Sequence, residues 1–279
     1  AAKNARAALD SYRYNDAASA AYEYFWNNFC DWYVEATKLV FWHGTEEEKD
    51  RQISVLLNVL EESLRLLHPF IPFVTEEIYS KLPRKEINEN RAKTESNKIL
   101  PSETYDGLLV SAPYPEFKSE RNDEKITARF NALKDVIRSV RGLRNECGVN
   151  PADKINLALL VVKGSAAEVC KEKADMIQLL AGLSKIEFVE EKPAKSIGTV
   201  GTGFEAFILL DGNINKEQLL KHFNKDLETG RKDAERIEFK LNGKFGQHAP
   251  AEVVQAERDK LAEIKRRVEK LESYVAALN

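Results

Sequence analysis

The sequence predicts a mainly α protein: an antiparallel helical bundle, a small α+β unit, and a C-terminal antiparallel coiled-coil hairpin. Three observations carry this. Apolar residues recur at gaps of three and four through most of residues 15–147. After Gly148 and Pro151 the pattern changes to short apolar runs of strand type. Beyond residue 213 it becomes a regular 3,4 alternation, the 3.5-residue period of a coiled coil. The expected domains are 1–150, containing a polar insert at 83–122, then 151–212 and 213–279.

The first long helix is expected to begin at Asn15 as N-cap, with Asp16 in its first turn. Ala18, Ala21, Tyr22, Phe25, Phe29, Trp32, Ala36 and Leu39 form its stripe. Eleven of the chain's 25 aromatics lie in residues 12–42, so this helix is expected to be covered on more than one side. Thr45 caps a second helix, with Glu46, Glu47 and Glu48 behind it and Ile53, Leu56, Leu57, Leu60, Leu64 and Leu67 as its stripe. His68-Pro69 ends it, because proline disfavours helix at the residue before it. His68 reads as a hydrogen-bonder at the helix end. Pro72 opens a short helix running to Leu82. The polar insert carries one expected strand, Leu108–Ser111. A further helix spans about 123–147, with Ile126, Phe130, Leu133, Val136, Ile137, Val140 and Leu143 on one face.

Ile155–Val162 reads as a strand, Ser165–Gly182 as helix stopped by Gly182, and Lys185–Glu190 and Phe204–Leu210 as two more strands joined by a glycine-containing loop. In the hairpin, Leu220, Phe223, Leu227, Gly230, Ala234, Ile237 and Leu241 form one seam. Val254, Glu257, Leu261, Ile264, Val268, Leu271, Val275 and Leu278 form the other. Folding back at residues 242–249 is expected to pair them at a constant index sum of 491, so that Gly230 meets Leu261 and Leu227 meets Ile264.

Composition excludes several classes. No uncharged run exceeds ten residues, so no segment reaches the roughly 20 needed to cross a bilayer. Cys30, Cys147 and Cys170 are too scattered for a disulfide framework or metal set, which fits a cytoplasmic setting. Starting at Ala1 and holding one methionine, Met176, the chain is expected to be part of a longer protein. Gly198, Gly201 and Gly203 precede a strand, whereas a dinucleotide fingerprint opens a helix. No catalytic motif is present, and no metal site is expected.

Net charge is −3, so nucleic-acid contact requires local basic stripes. Arg138, Arg141 and Arg144 repeat every three residues, with Lys134 a turn earlier. They read either as a basic ridge about 9 Å long for phosphates and bases or as a solvated face partnered by Glu146 and Asp135. Residues 214–279 hold 14 Lys or Arg against 12 Asp or Glu, while the rest holds 28 against 33, so the hairpin is the relatively basic part. Its tip carries Lys240, Lys244, Phe245 and His248. Phe245 either plugs the coiled coil against Val253, the preferred reading, or stacks on a base.

Four stretches carry a resemblance: YRYNDAASAAYEYFWNNFCDWYVEATK (12–38), LRLLHPFIPFVTEEIY (64–79), VIRSVRGLRNECGVNPADKI (136–155) and APAEVVQAERDKLAEI (249–264). Together they resemble the valyl-tRNA synthetase family, C-terminal to its catalytic core. The resemblance implies an anticodon-binding helical bundle of the class I synthetase type, a junction, and an arm bracing the outer corner of the L-shaped tRNA. The class I signatures HIGH and KMSKS are absent. The chain is therefore expected to recognise tRNA(Val) without itself activating valine. ATP and magnesium belong to the full-length enzyme and no cofactor to this part. The resemblance assigns RNA contacts to Arg138, Arg141, Arg144 and Asn145, and spacing along the helix adds Lys134. The arm would contribute Arg231, Lys232, Arg236, Lys244 and Arg258. A soluble monomer free of membranes is expected. The alternative is a helical protein-interaction scaffold without RNA binding.

Overall fold

A computed structural model describes residues 1–83, 107–210, 216–243, 245 and 249–278. It divides into two compact units, Ala1–Asp123 and Glu124–Asn279.

The first unit is helical. Helix α1 (Ala2–Asp10) precedes a long helical run made of α2 (Tyr14–Glu23), a π-helical stretch Tyr24–Val34, and α3 (Glu35–His43). Helix α2 starts one residue before the expected cap and has no side-chain cap, though Asp16 does sit in its first turn. In the π-helical stretch the rings of Phe25, Phe29 and Tyr33 stack at centroid spacings of 5.6 and 6.0 Å. Phe29 and Trp32 are buried there, whereas Tyr22, expected on the stripe, is exposed.

Helix α4 (Glu46–Leu67) opens with the expected capping box: the Glu48 N–H donates to Thr45 Oγ1, and the Thr45 N–H to Glu48. Leu64 and Leu67 of the expected stripe are buried, as is Leu66, but the buried face also takes in polar residues. Ser54, Asn58, Glu61 and Arg65 are buried, while Ile53 is exposed. These polar groups find partners one turn away, Asn58 donating to the Ser54 carbonyl at 2.7 Å and Arg65 to Glu61 at 2.5 Å. His68 caps α4 and its Nδ1 lies 2.8 Å from Thr75 Oγ1, the helix-end role expected of it. Helix α5 (Pro72–Ser80) follows. Leu109–Ser111 is a 3-10 turn in place of the expected strand. Proline 113 lies close behind it, and no neighbouring strand pairs with it among the described residues.

The second unit begins with α6 (Glu124–Glu146), whose Leu133, Val136, Ile137, Val140 and Leu143 are buried. Ile126 is exposed, so the stripe starts a turn later than expected. The sheet comprises β1 (Ile155–Val161), β2 (Leu183–Val189), β3 (Ser196–Gly201) and β4 (Phe204–Leu209), in the order β2-β1-β4-β3. Strands β1 and β2 are parallel, which requires a crossover. Helices α7 (Val169–Glu172) and α8 (Ala174–Ala181) supply it, and Gly182 ends α8 at φ +67, where a side chain would be strained. Strand β3 stands where the sequence suggests a loop; it pairs antiparallel with β4 along its whole length. Helix α6 lies against β3, β4 and α8.

Helices α9 (Lys216–Asn242) and α10 (Ala251–Leu278) pack along each other as the expected hairpin. The heptads hold, but the register is one heptad longer. A Cβ on Gly230 would meet Val268, not Leu261, at 2.9 Å, giving an index sum of 498. The Lys240–Glu257 pair gives 497. Leu227 therefore lies opposite Leu271 rather than Ile264. The shift brings Glu257 beside a lysine near the tip instead of opposite Ala234.

Candidate nucleic-acid interface

Helix α6 turns about 300° every three residues, so a three-residue repeat walks about 60° backward per step. The arginines consequently do not share a face. Arg138 is exposed to solvent. Arg141 is exposed too, and its Nε donates to the Leu180 carbonyl at 2.7 Å. Arg144, about 120° around from Arg138, is buried.

Arg144 gathers main-chain carbonyls. It donates to Ala181 at 2.8 Å and to Gly182 at the end of α8, and to Asp153 at 2.8 Å and Asn150 at 3.1 Å in the turn before β1. A guanidinium offers five N–H donors in a fixed fork, which suits such a cluster. It neutralises the C-terminal end of α8 and ties that end to the turn. This corrects its expected role: its side chain holds the protein together and has no surface to offer RNA.

Lys134 is half-buried, its ammonium 5.6 Å from the Phe130 ring, and burial lowers its pKa. Asn145 is exposed. Glu146, expected as a partner for the arginines, is engaged by Lys270 and Tyr274. Of the expected cations of α6, Arg138 and Arg141 are thus the exposed ones, flanked by Lys134 and Asn145; Lys125 and Arg129, nearer the start of the helix, are exposed as well.

On the arm, Arg231, Lys232, Arg236 and Arg258 are all exposed and off the seam, as expected. The first three form surface ion pairs, Arg231 with Glu272 at 2.6 Å, Lys232 with Glu228 at 2.6 Å and Arg236 with Asp233 at 3.0 Å. Such pairs are worth about 0–1 kcal/mol and exchange readily for a phosphate. Lys244 lies outside the described residues, as does His248. Phe245 is half-buried with the Lys240 ammonium 4.1 Å from its ring centre, a cation–π contact that sequence reasoning missed because the two residues lie five apart across a turn. Val253, its expected partner, is exposed.

Two family models match this chain. One, described as the anticodon-binding domain of tRNA ligase, covers residues 1–159, and the other, the valyl tRNA synthetase tRNA binding arm, covers residues 215–279. The chain is similar to the valine–tRNA ligase of Treponema denticola, 50% identical over the whole chain and 30% of that protein. It is similar to those of Treponema pallidum (40% identical, 98% of this chain, 30% of the relative) and Thermotoga maritima (34% identical, 97% and 28%). It spans about 30% of the length of the first two. No helix among the described residues is long and apolar enough to cross a membrane.

Proposed function

We propose that this chain, which belongs to the anticodon-binding domain family of tRNA ligases, is the tRNA-recognition part of a valine–tRNA ligase. The observation that carries the reading is the pairing of the two matched regions, an anticodon-binding domain and a tRNA-binding arm, in one chain. In this reading Arg138 and Arg141, with Lys134 and Asn145, meet the anticodon branch of tRNA(Val). Unstacked anticodon bases and flanking phosphates are natural ligands for exposed guanidinium planes. Arg231, Lys232, Arg236 and Arg258 meet the outer corner of the tRNA through its backbone. Such contacts position the RNA without reading sequence.

Functionally the anticodon-binding part runs over 1–150, the junction over 151–212 and the arm over 213–279. Valine activation and transfer, with their ATP and magnesium, belong to the portion of the longer relatives that this chain does not match. The chain acts as a cytoplasmic monomer.

The test is tRNA binding by the 279-residue chain across a salt series. Phosphate-driven binding weakens steeply as salt rises, because each neutralised phosphate releases counterion. A chain that ignores tRNA, or binds it with no salt dependence, is the protein-interaction scaffold instead.

A further inference from the structure

The base of the arm is fastened to the end of α6 where two arm side chains, one turn apart, meet Glu146. Tyr274, in the last turn but one of α10, is buried, and its hydroxyl donates to Glu146 Oε2 at 3.2 Å. The same hydroxyl lies 3.4 Å from the Gly198 carbonyl on β3. One turn earlier Lys270 donates to both Glu146 oxygens, at 2.7 and 3.0 Å. The Phe223 ring of α9, fully buried, packs 5.4 Å from the Tyr274 ring, so both arm helices are held. A cleft of about 620 Å³ runs beside this cluster, lined by Asn145, His222 and Arg267.

The Lys270–Glu146 pair is half-exposed and by itself worth little. Tyr274 differs, because a buried hydroxyl left without a partner forfeits the solvation it gave up on burial. Burial, reinforced by Glu146, raises its pKa well above the ordinary phenol value, so the hydroxyl stays a donor. Seam burial keeps the two arm helices together, but only the base determines where the arm points. A helix of 27 residues is about 40 Å long, so a 10° tilt at its base displaces the tip by about 7 Å.

We propose that Glu146, Lys270 and Tyr274 are positioning residues that set the angle between the arm and the α6 helix, so that one tRNA engages both surfaces at once. The proposal rests on the tRNA-binding reading above and adds to it a geometric requirement. Two binding surfaces joined at the correct spacing raise affinity through avidity, and the gain disappears when the geometry forbids both together.

Three RNAs test this: whole tRNA(Val), its isolated anticodon stem–loop, and the tRNA lacking that stem–loop. They are titrated against the parent chain, Tyr274→Phe combined with Lys270→Met, and Glu146→Gln with Lys270→Met. Tyr274→Phe keeps the packing, so the fold survives, and unchanged stem–loop binding verifies this. A Lys270→Arg variant restores the ion pair and should behave as the parent. The expected result is a loss of about tenfold or more for whole tRNA, with each half-molecule bound within twofold of the parent. Unchanged whole-tRNA affinity overturns the proposal, as does an equal loss for the half-molecules, which marks a merely structural role. A parent that binds whole tRNA no tighter than its better half overturns it while leaving the tRNA reading intact. A parent that binds none of the three overturns both.

Discussion

Replacing Arg144 by Gln separates holding the fold from holding RNA. Five carbonyls accept from this guanidinium: Ala181, Gly182, Asn150, Pro151 and Asp153. Gln has one amide NH2 on a shorter stem and cannot bridge the two groups. The residues around 150–153 are exposed, so water recovers much of what their carbonyls lose. Ala181 is buried and Gly182 half-buried, and their carbonyls stay short of a donor at about 1–2 kcal/mol each. The expected cost is therefore about 2–4 kcal/mol, against about 0.5 or less for Arg138→Gln at the exposed end of the same repeat. In urea the first cost corresponds to a midpoint shift of about 1–2 M. The chain supplies its own probes. All three tryptophans lie in the first unit, whereas Cys147 and Cys170 are buried in the second. Thiol labelling in urea should therefore shift to lower denaturant in Arg144→Gln while the tryptophan transition stays in place. An unshifted thiol-labelling midpoint would refute the carbonyl-cluster argument.

The arm register has a covalent test: in a chain whose native cysteines are replaced, Gly230→Cys with Val268→Cys should oxidise to an intrachain disulfide. Gly230→Cys with Leu261→Cys should not, because residue 261 lies about 10 Å further along the helix; crosslinking of the second pair alone would restore the 491 register. Burial, with help from Glu146, pushes the Cys147 thiol up to about 12, and burial pushes Cys170 up to about 11. Both should therefore resist alkylation in the native chain at pH 8, and fast modification of either would contradict the burial. Their raised values also favour the folded state below the unfolded thiol pKa, so stability should fall as pH climbs from about 9 towards 12. A flat urea midpoint across that range would contradict the assignment.

Periodicity made much of this fold legible, because each stripe reports which residues share an element. The capping box at Thr45 and Glu48 and the stop at Gly182 depend only on neighbours a turn away, and both appear as read. What failed needed information from beyond the element. A three-residue repeat looks like a ridge in sequence, yet its drift carries Arg144 under the helix. The buried side of α4 mixes leucines with polar residues because Asn58 and Arg65 find local partners, and hydrophobicity does not count hydrogen bonds. Strand β3 was hidden by Gly198 and Gly201, whose missing side chains leave space for the Phe207 and Phe204 rings of β4. A heptad repeat superposes on itself after seven residues, so the seam alone could not distinguish 491 from 498. The small residue at Gly230 facing Val268 and the Lys240–Glu257 pair distinguish them in space. At the interface, Arg138, Arg141, Arg231, Lys232, Arg236 and Arg258 were legible as exposed charges. The Glu146–Lys270–Tyr274 cluster was not, since Glu146 lies more than 120 residues from the other two.

The most direct measurement is the affinity and salt slope of the chain for tRNA(Val) and for the same tRNA with a changed anticodon. The parent is compared with Arg138→Gln/Arg141→Gln and with an arm bearing Arg231→Glu, Lys232→Glu and Arg258→Glu. The α6 variant should bind more weakly, its slope flatter by up to about 0.7 for each single-stranded phosphate it no longer neutralises. The arm variant should stay folded and bind both tRNAs more weakly by the same factor, because backbone contacts carry no base code. Normal binding by both variants, or an arm defect that depends on the anticodon, would contradict the account.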